Sequence, residues 1–116
     1  MKKFLFLLIL FLFTNRINGE GKIAYILRIE GAIGPVTYYR VKNTLKIASE
    51  KNAEFVIFTL DTPGGLLSST RKIVQEILQS PVPVIGFVYP QGAQCASAGT
   101  FIGLSCFSGL GGFRLQ

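Results

Sequence analysis

Histidine is absent from all 116 residues of this chain, and the absence removes a large share of familiar chemistry. Without an imidazole there is no Ser-His-Asp triad, no Cys-His pair and no histidine metal site, so a general base must be lysine, aspartate or glutamate. Cysteine is scarce: Cys95 and Cys106 are the two in the chain. They flank a predicted helix, and at about 1.5 Å per residue they stand roughly 16 Å apart, against a limit of ~7 Å between the Cα atoms of a bridged pair. The expectation is two unpaired thiols and no metal site. Basic runs are missing too. The formal net charge is +6, but Lys2, Lys3 and Arg16 belong to the N-terminal segment, and without them about +3 remains. The other lysines and arginines are scattered without interleaved aromatics, which excludes nucleic-acid binding. No apolar run reaches the roughly 20 residues that a helix needs to span a bilayer.

The N-terminus does carry a shorter run. After Met1-Lys2-Lys3 come ten apolar residues, Phe4 to Phe13, and then polar Thr14-Asn15-Arg16. A positive start followed by an apolar stretch of this length is the layout of a secretory signal, with an uncleaved membrane anchor as the alternative. Residues 1–19 are therefore expected to direct export to an extracytoplasmic or membrane-associated location, with cleavage after Gly19.

Beyond this segment strands and helices alternate. Lys22 to Ile29 (KIAYILRI) is nearly continuous in apolar residues, as expected of a strand covered on both faces. Gly31-Ala32-Ile33-Gly34-Pro35 breaks it, and the spacing of Val41, Leu45 and Ile47-Ala48 predicts an amphipathic helix over Val36 to Lys51. Phe55 to Leu60 is a second buried strand, closed by Asp61-Thr62-Pro63-Gly64-Gly65. A helix follows over Leu67 to Gln79, then a third strand over Pro83 to Val88, a loop from Tyr89, and Ser97 at the start of another helix. Alternation of this kind predicts an α/β architecture, mostly parallel, with crossover helices. Three strands leave an edge wanting a partner, so the domain is expected to be incomplete. After Ile102 the composition changes to four glycines among residues 103–114 with no evident period, and 103–116 reads as an atypical tail from a truncated or frameshifted gene.

Two segments carry chemistry if they meet: Asp61 to Gly65 after the second strand, and Gly92 to Gly99 after the third. Both lie at carboxyl ends of strands, where reacting groups gather in open α/β sheets. Gly64 and Gly65 can bring backbone N–H groups close to a carbonyl oxygen, and Ala98 can supply another. Ser97, between Ala96 and Ala98, has an unobstructed hydroxyl at the positive end of a helix. Each feature also has a plainer meaning. Pro-Gly-Gly is a common turn, a serine opening a helix is often an N-cap, Asp61 suits a strand end, and Cys95 suits a buried small residue. The two loops together are better evidence than either alone.

The residues LDTPGG at 60–65, SPVPVIGFVYPQGAQCASAGTFI at 80–102 and EGAIGP at 30–35 resemble the NfeD-type membrane serine proteases, relatives of ClpP and signal peptide peptidase A, over about residues 22–102. The resemblance implies a ClpP/crotonase-like fold and peptide-bond hydrolysis by a Ser-Lys dyad. By it Ser97 matches the nucleophile, and Gly64, Gly65 and Ala98 lie where oxyanion donors would be. It also implies apolar segments of membrane proteins as substrates, a stomatin-like partner, a homo-oligomer at full length and no cofactor. The family places its dyad lysine farther beyond the serine than the nineteen residues that follow Ser97 here. Lys42, Lys46, Lys51 and Lys72 read as exposed helix positions, so the expectation is an inactive N-terminal part of a protease. Two other classes compete: a non-catalytic exported protein binding a partner through an open sheet edge, and a crotonase-type acyl-thioester enzyme, which export disfavours.

Overall fold

The computed structural model describes residues 2–3 and 21–109, with side chains described as far as Cys106. The apolar run Phe4 to Phe13, the expected cleavage point at Gly19 and residues 110–116 lie outside the described residues.

The element order is β1 (Ala24–Glu30), α1 (Pro35–Glu50), β2 (Phe55–Asp61), α2 (Leu67–Gln79), β3 (Val84–Val88) and α3 (Ala98–Gly109). The three strands form one parallel sheet in the order β1-β2-β3. Pro35 opens α1 with its fixed φ, and Thr37 Oγ1 accepts a hydrogen bond from the Gly34 N–H at 3.2 Å. The helix stops where Asn52 turns left-handed (φ +53), and the Ala53 N–H then donates to the Ala48 carbonyl.

Alternate residues of the strands point into one core. Leu27 and Ile29 from β1, Val56, Phe58 and Leu60 from β2, and Val84 from β3 meet Val41 and Leu45 of α1, Ile73 and Ile77 of α2, and Ile102 and Cys106 of α3. The second face differs from the expectation of strands covered on both sides. Register places Ile26, Ile57 and Ile85 in one row across that face, and Ile26 is 70% exposed. Apolar content without alternation led to the two-sided expectation; among the described residues the helices pack on one side.

A further difference concerns residues 103–109 of the segment after Ile102. There α3 runs on to Gly109, with Ile102, Ser105 and Cys106 buried and Phe101 exposed. The stripe was hidden because serine and cysteine fill inward positions. Ser105 satisfies its hydroxyl locally by donating to the Ile102 carbonyl at 2.7 Å. Gly86 of β3 lets α3 approach closely, since a Cβ there would stand 3.3 Å from Cys106 Cβ.

Both cysteines are unpaired, Cys95 half-buried and Cys106 buried. Burial raises both thiols, Cys106 from an ordinary 9.0 to about 12. Between those values the unfolded chain gives up the Cys106 proton while the folded chain keeps it, so the unfolded state gains and stability falls as pH rises. Below pH 9 the contribution is fully present. Denaturant titrations should therefore show a fall in stability from pH 9 to 12 that is shallower in Cys106→Ala. Equal slopes would mean that the thiol is not shielded as described.

Candidate active site

Strand β2 ends at Asp61, and both backbone and side chain there tie neighbouring loops to the sheet. The Asp61 carbonyl accepts from the Gly31 N–H at 2.9 Å, and Asp61 Oδ1 accepts from the Gln94 N–H at 3.0 Å. Asp61 is thus a strand-end residue that organises the loop after β3. Thr62 continues the parallel pairing for one more step: its N–H donates to the Gln94 carbonyl at 2.7 Å, and its carbonyl accepts from the Ala96 N–H at 3.2 Å. The loop that carries Ser97 is therefore stitched to the end of β2 rather than to its own strand.

Gly64 is left-handed at φ +117, and a Cβ there would stand 2.9 Å from Ser97 Cβ and 3.3 Å from both Ser97 Oγ and the Ala98 nitrogen. Only glycine meets both demands, the positive φ and the close approach. Gly65 pairs with Ile33 in an isolated parallel bridge, framed by Ile33 N–H to Gly64 carbonyl and Leu66 N–H to Ile33 carbonyl, both 2.9 Å. In such a bridge the N–H of Gly65 points away from Ile33, outward from the pair. A side chain on Gly65 would collide with the Ile33 backbone.

Ser97 is exposed and has φ +50, immediately before α3. An N-cap serine has extended backbone, so this conformation argues against simple capping. For a serine the left-handed region costs energy, and such conformations gather at functional sites. The first turn of α3 is secured by other groups: Gly99 N–H to Ala96 carbonyl at 2.9 Å, Thr100 N–H to Ser97 carbonyl at 3.0 Å, and Thr100 Oγ1 to Cys95 carbonyl at 3.0 Å. Ala98, the first helical residue, has no partner for its N–H within the helix.

The four residues singled out from the sequence thus converge, but with different parts. Gly65 offers an N–H turned away from Ile33, and Ala98, which follows Ser97, offers one without a partner inside the helix. Gly64 does not, because its N–H already donates to Thr62 Oγ1 at 3.1 Å; it serves as the surface against which Ser97 packs. Sequence reasoning missed Thr62, Ile33 and the left-handed turn at Ser97. A threonine ending an apolar strand before Pro-Gly-Gly was the available signal.

The lysines within residues 21–109 lie elsewhere. Lys42 and Lys72 sit 6.0 and 5.5 Å from the centroid of the Tyr38 ring, Lys22 pairs with Glu54 at 3.4 Å, and Lys46 and Lys51 are exposed.

Residues 23–108 match the family described as NfeD1b, N-terminal domain. The chain belongs to this NfeD1b N-terminal domain family. Among curated relatives it is 42% identical over 104 residues to the membrane-bound protease PH1510 of Pyrococcus horikoshii, covering 90% of this chain and 24% of that protein. It is 27% identical over 87 residues to the membrane protein NfeD1b of Bacillus subtilis, covering 75% of this chain and 19% of that one. The NfeD domain described here thus spans about a quarter or less of these relatives. Its fold matches a serine-to-alanine mutant of the 1510-N membrane-bound stomatin-specific protease at a TM-score of 0.72 and 45% identity, over 74% of this chain and 42% of that one. A lysine-to-alanine mutant of the same protease, in complex with a substrate peptide, matches at 0.70 and 48%, over 72% of this chain and 38% of that one. No described helix of this NfeD domain is long and apolar enough to cross a membrane.

Alanine at Gly64 forces both an adverse φ and a contact with Ser97, and should cost roughly 1–3 kcal/mol. Gly65→Ala should be at least as damaging, while Gly21→Ala, which meets nothing within 4 Å, should be near neutral in thermal denaturation. Equal tolerance at all three positions would contradict the described contacts.

Proposed function

We propose that this chain supplies the nucleophile and oxyanion side of a membrane-associated serine endopeptidase. The observation that carries the reading is the contact of Gly64 with Ser97, a serine held at φ +50 at the mouth of a helix. In this reading Ser97 Oγ attacks the peptide carbonyl carbon, and the oxygen takes up negative charge between the N–H groups of Gly65 and Ala98. Backbone donors preset for that charge are worth most in the transition state. The base is a lysine from outside residues 21–109. It takes the Ser97 proton as the C–O bond forms and returns it to the leaving amine as the C–N bond breaks. Water then hydrolyses the acyl-enzyme. A neutral lysine requires a lowered pKa, which a desolvated position supplies.

The relatives support this assignment. The solved neighbours are named as a stomatin-specific protease, one bearing a lysine-to-alanine change and a substrate peptide. By extension the substrates here are apolar segments of membrane proteins, a stomatin-like protein among them, and the working protein is a membrane-associated, exported homo-oligomer. A groove of about 460 Å³ between α2 and α3, walled by Leu67, Val74 and Phe101, suits an apolar side chain. Within residues 21–109 no lysine faces Ser97, so the chain by itself is expected to be close to inert. A partner-binding role has one observation in its favour: β3 is an edge strand with Phe87 and Val88 exposed. It leaves the turn at Ser97 without a reason.

The test is phosphonylation of the full chain by a fluorophosphonate, with and without propylamine as a substitute base. Labelling at Ser97 should be slow alone, increase roughly tenfold or more with the amine, rise with pH as the amine loses its proton, and vanish in Ser97→Ala. Rapid labelling of Ser97 without amine would place the base inside this chain. Labelling elsewhere, or none under any condition, would remove Ser97 as the nucleophile.

A further inference from the structure

Thr62 is fully buried, and each part of it holds a different piece of the site. Its backbone joins the Gln94–Ala96 segment to the end of β2. Its hydroxyl accepts from the Gly64 N–H at 3.1 Å and donates to the Gly64 carbonyl at 3.3 Å. Its methyl group lies against α3, since a Cβ on Gly99 would stand 2.7 Å from Thr62 Cγ2. One side chain therefore fixes the left-handed glycine that touches Ser97 and the first turn of the helix that Ser97 precedes.

We propose that Thr62 is a positioning residue, whose hydroxyl sets the Gly64 peptide and through it the rotamer of Ser97 and the direction of the Gly65 N–H. The proposal rests on the reading of Ser97 as nucleophile. Its physical basis is the cost of an unsatisfied donor. Gly64 is buried, so an isosteric side chain without a hydroxyl strands its N–H, and the peptide must turn to find a partner. Turning it moves the Gly64 Cα that packs on Ser97 Cβ and tilts the next N–H, that of Gly65. Displacements of about an ångström in a reacting group are enough to cost up to roughly a hundredfold in rate. The methyl group makes a separable contribution through packing alone. Valine and serine at this position consequently divide the two functions: valine keeps the shape and loses the hydroxyl, and serine does the reverse.

The experiment compares Thr62→Val and Thr62→Ser in the full 116-residue chain, held in detergent micelles, by two readouts. The first is hydrogen exchange of the Gly64 amide by NMR; the second is the rate of amine-assisted fluorophosphonate labelling of Ser97 per folded molecule. The expected result is faster Gly64 exchange and labelling slowed roughly tenfold or more in Thr62→Val, with both restored close to wild type in Thr62→Ser. A residue that only filled space would give the opposite order, valine being the better mimic of its shape. If Thr62→Val does not fold, Thr62→Ala against Thr62→Ser carries the same contrast. Wild-type labelling in both folded variants, or slow labelling in Thr62→Ser alone, would overturn the proposal. If wild type itself never labels, Ser97 is not the nucleophile. Gly64 exchange then still decides: loss of protection in Thr62→Val upholds the hold of the hydroxyl on that loop, and unchanged protection removes it.

Discussion

The contact between Gly64 and Ser97 sets what the neighbouring structure must do. It brings the turn after β2 against the turn after β3, two loops whose strands are adjacent but whose paths would otherwise diverge. Gly64 must be left-handed, so Thr62 turns its hydroxyl inward to secure that peptide. Gly65 must then lie flat on Ile33, which explains why the segment after β1 returns to form a one-residue bridge. Gly99 must leave room for the Thr62 methyl, and Cys95 must run parallel to Thr62. Glycines and small residues accumulate here because three backbones approach one another, not because the region is loosely built.

The sheet supplies rigidity for this junction. Strand β2 is central, and its inward residues Val56, Phe58 and Leu60 are at most 1% exposed, so the strand end that bears Asp61 and Thr62 is anchored in the best-packed part of the molecule. Helices α2 and α3 leave directly from the two loops and pack on each other, α3 lying on the sheet and α2 also against α1. The strained φ of Ser97 can thus be sustained by the packing of Ile102 and Cys106 one and two turns along α3. Chemistry placed on loops and held by a packed scaffold is a common division of labour.

Much of this was legible in the residues. The second helix was read to its ends, Leu67 to Gln79, with Ile73 and Ile77 buried along it and Leu78 exposed. The parallel α/β arrangement followed from alternating elements, and both loops were placed at the carboxyl ends of their strands, where they could meet. Three things were not legible. The open face bearing Ile26 and Phe87 has the same residue types as a covered one. The continuation of α3 was masked by inward serine and cysteine at 105 and 106. The separate parts played by Gly64 and Gly65 depend on which N–H Thr62 captures, a matter of hydrogen-bond geometry that two identical residues in a row cannot express.

The central claim is that the turn after β2 packs against the turn after β3 with Gly64 on Ser97. The most direct measurement is a nuclear Overhauser effect between the Gly64 α-protons and the Ser97 β-protons in the isotopically labelled chain. A strong cross-peak is predicted, accompanied by a positive φ for Ser97 from its backbone couplings. The loop junction described here is contradicted by a spectrum in which both residues are assigned, the cross-peak is missing and the Ser97 φ is negative.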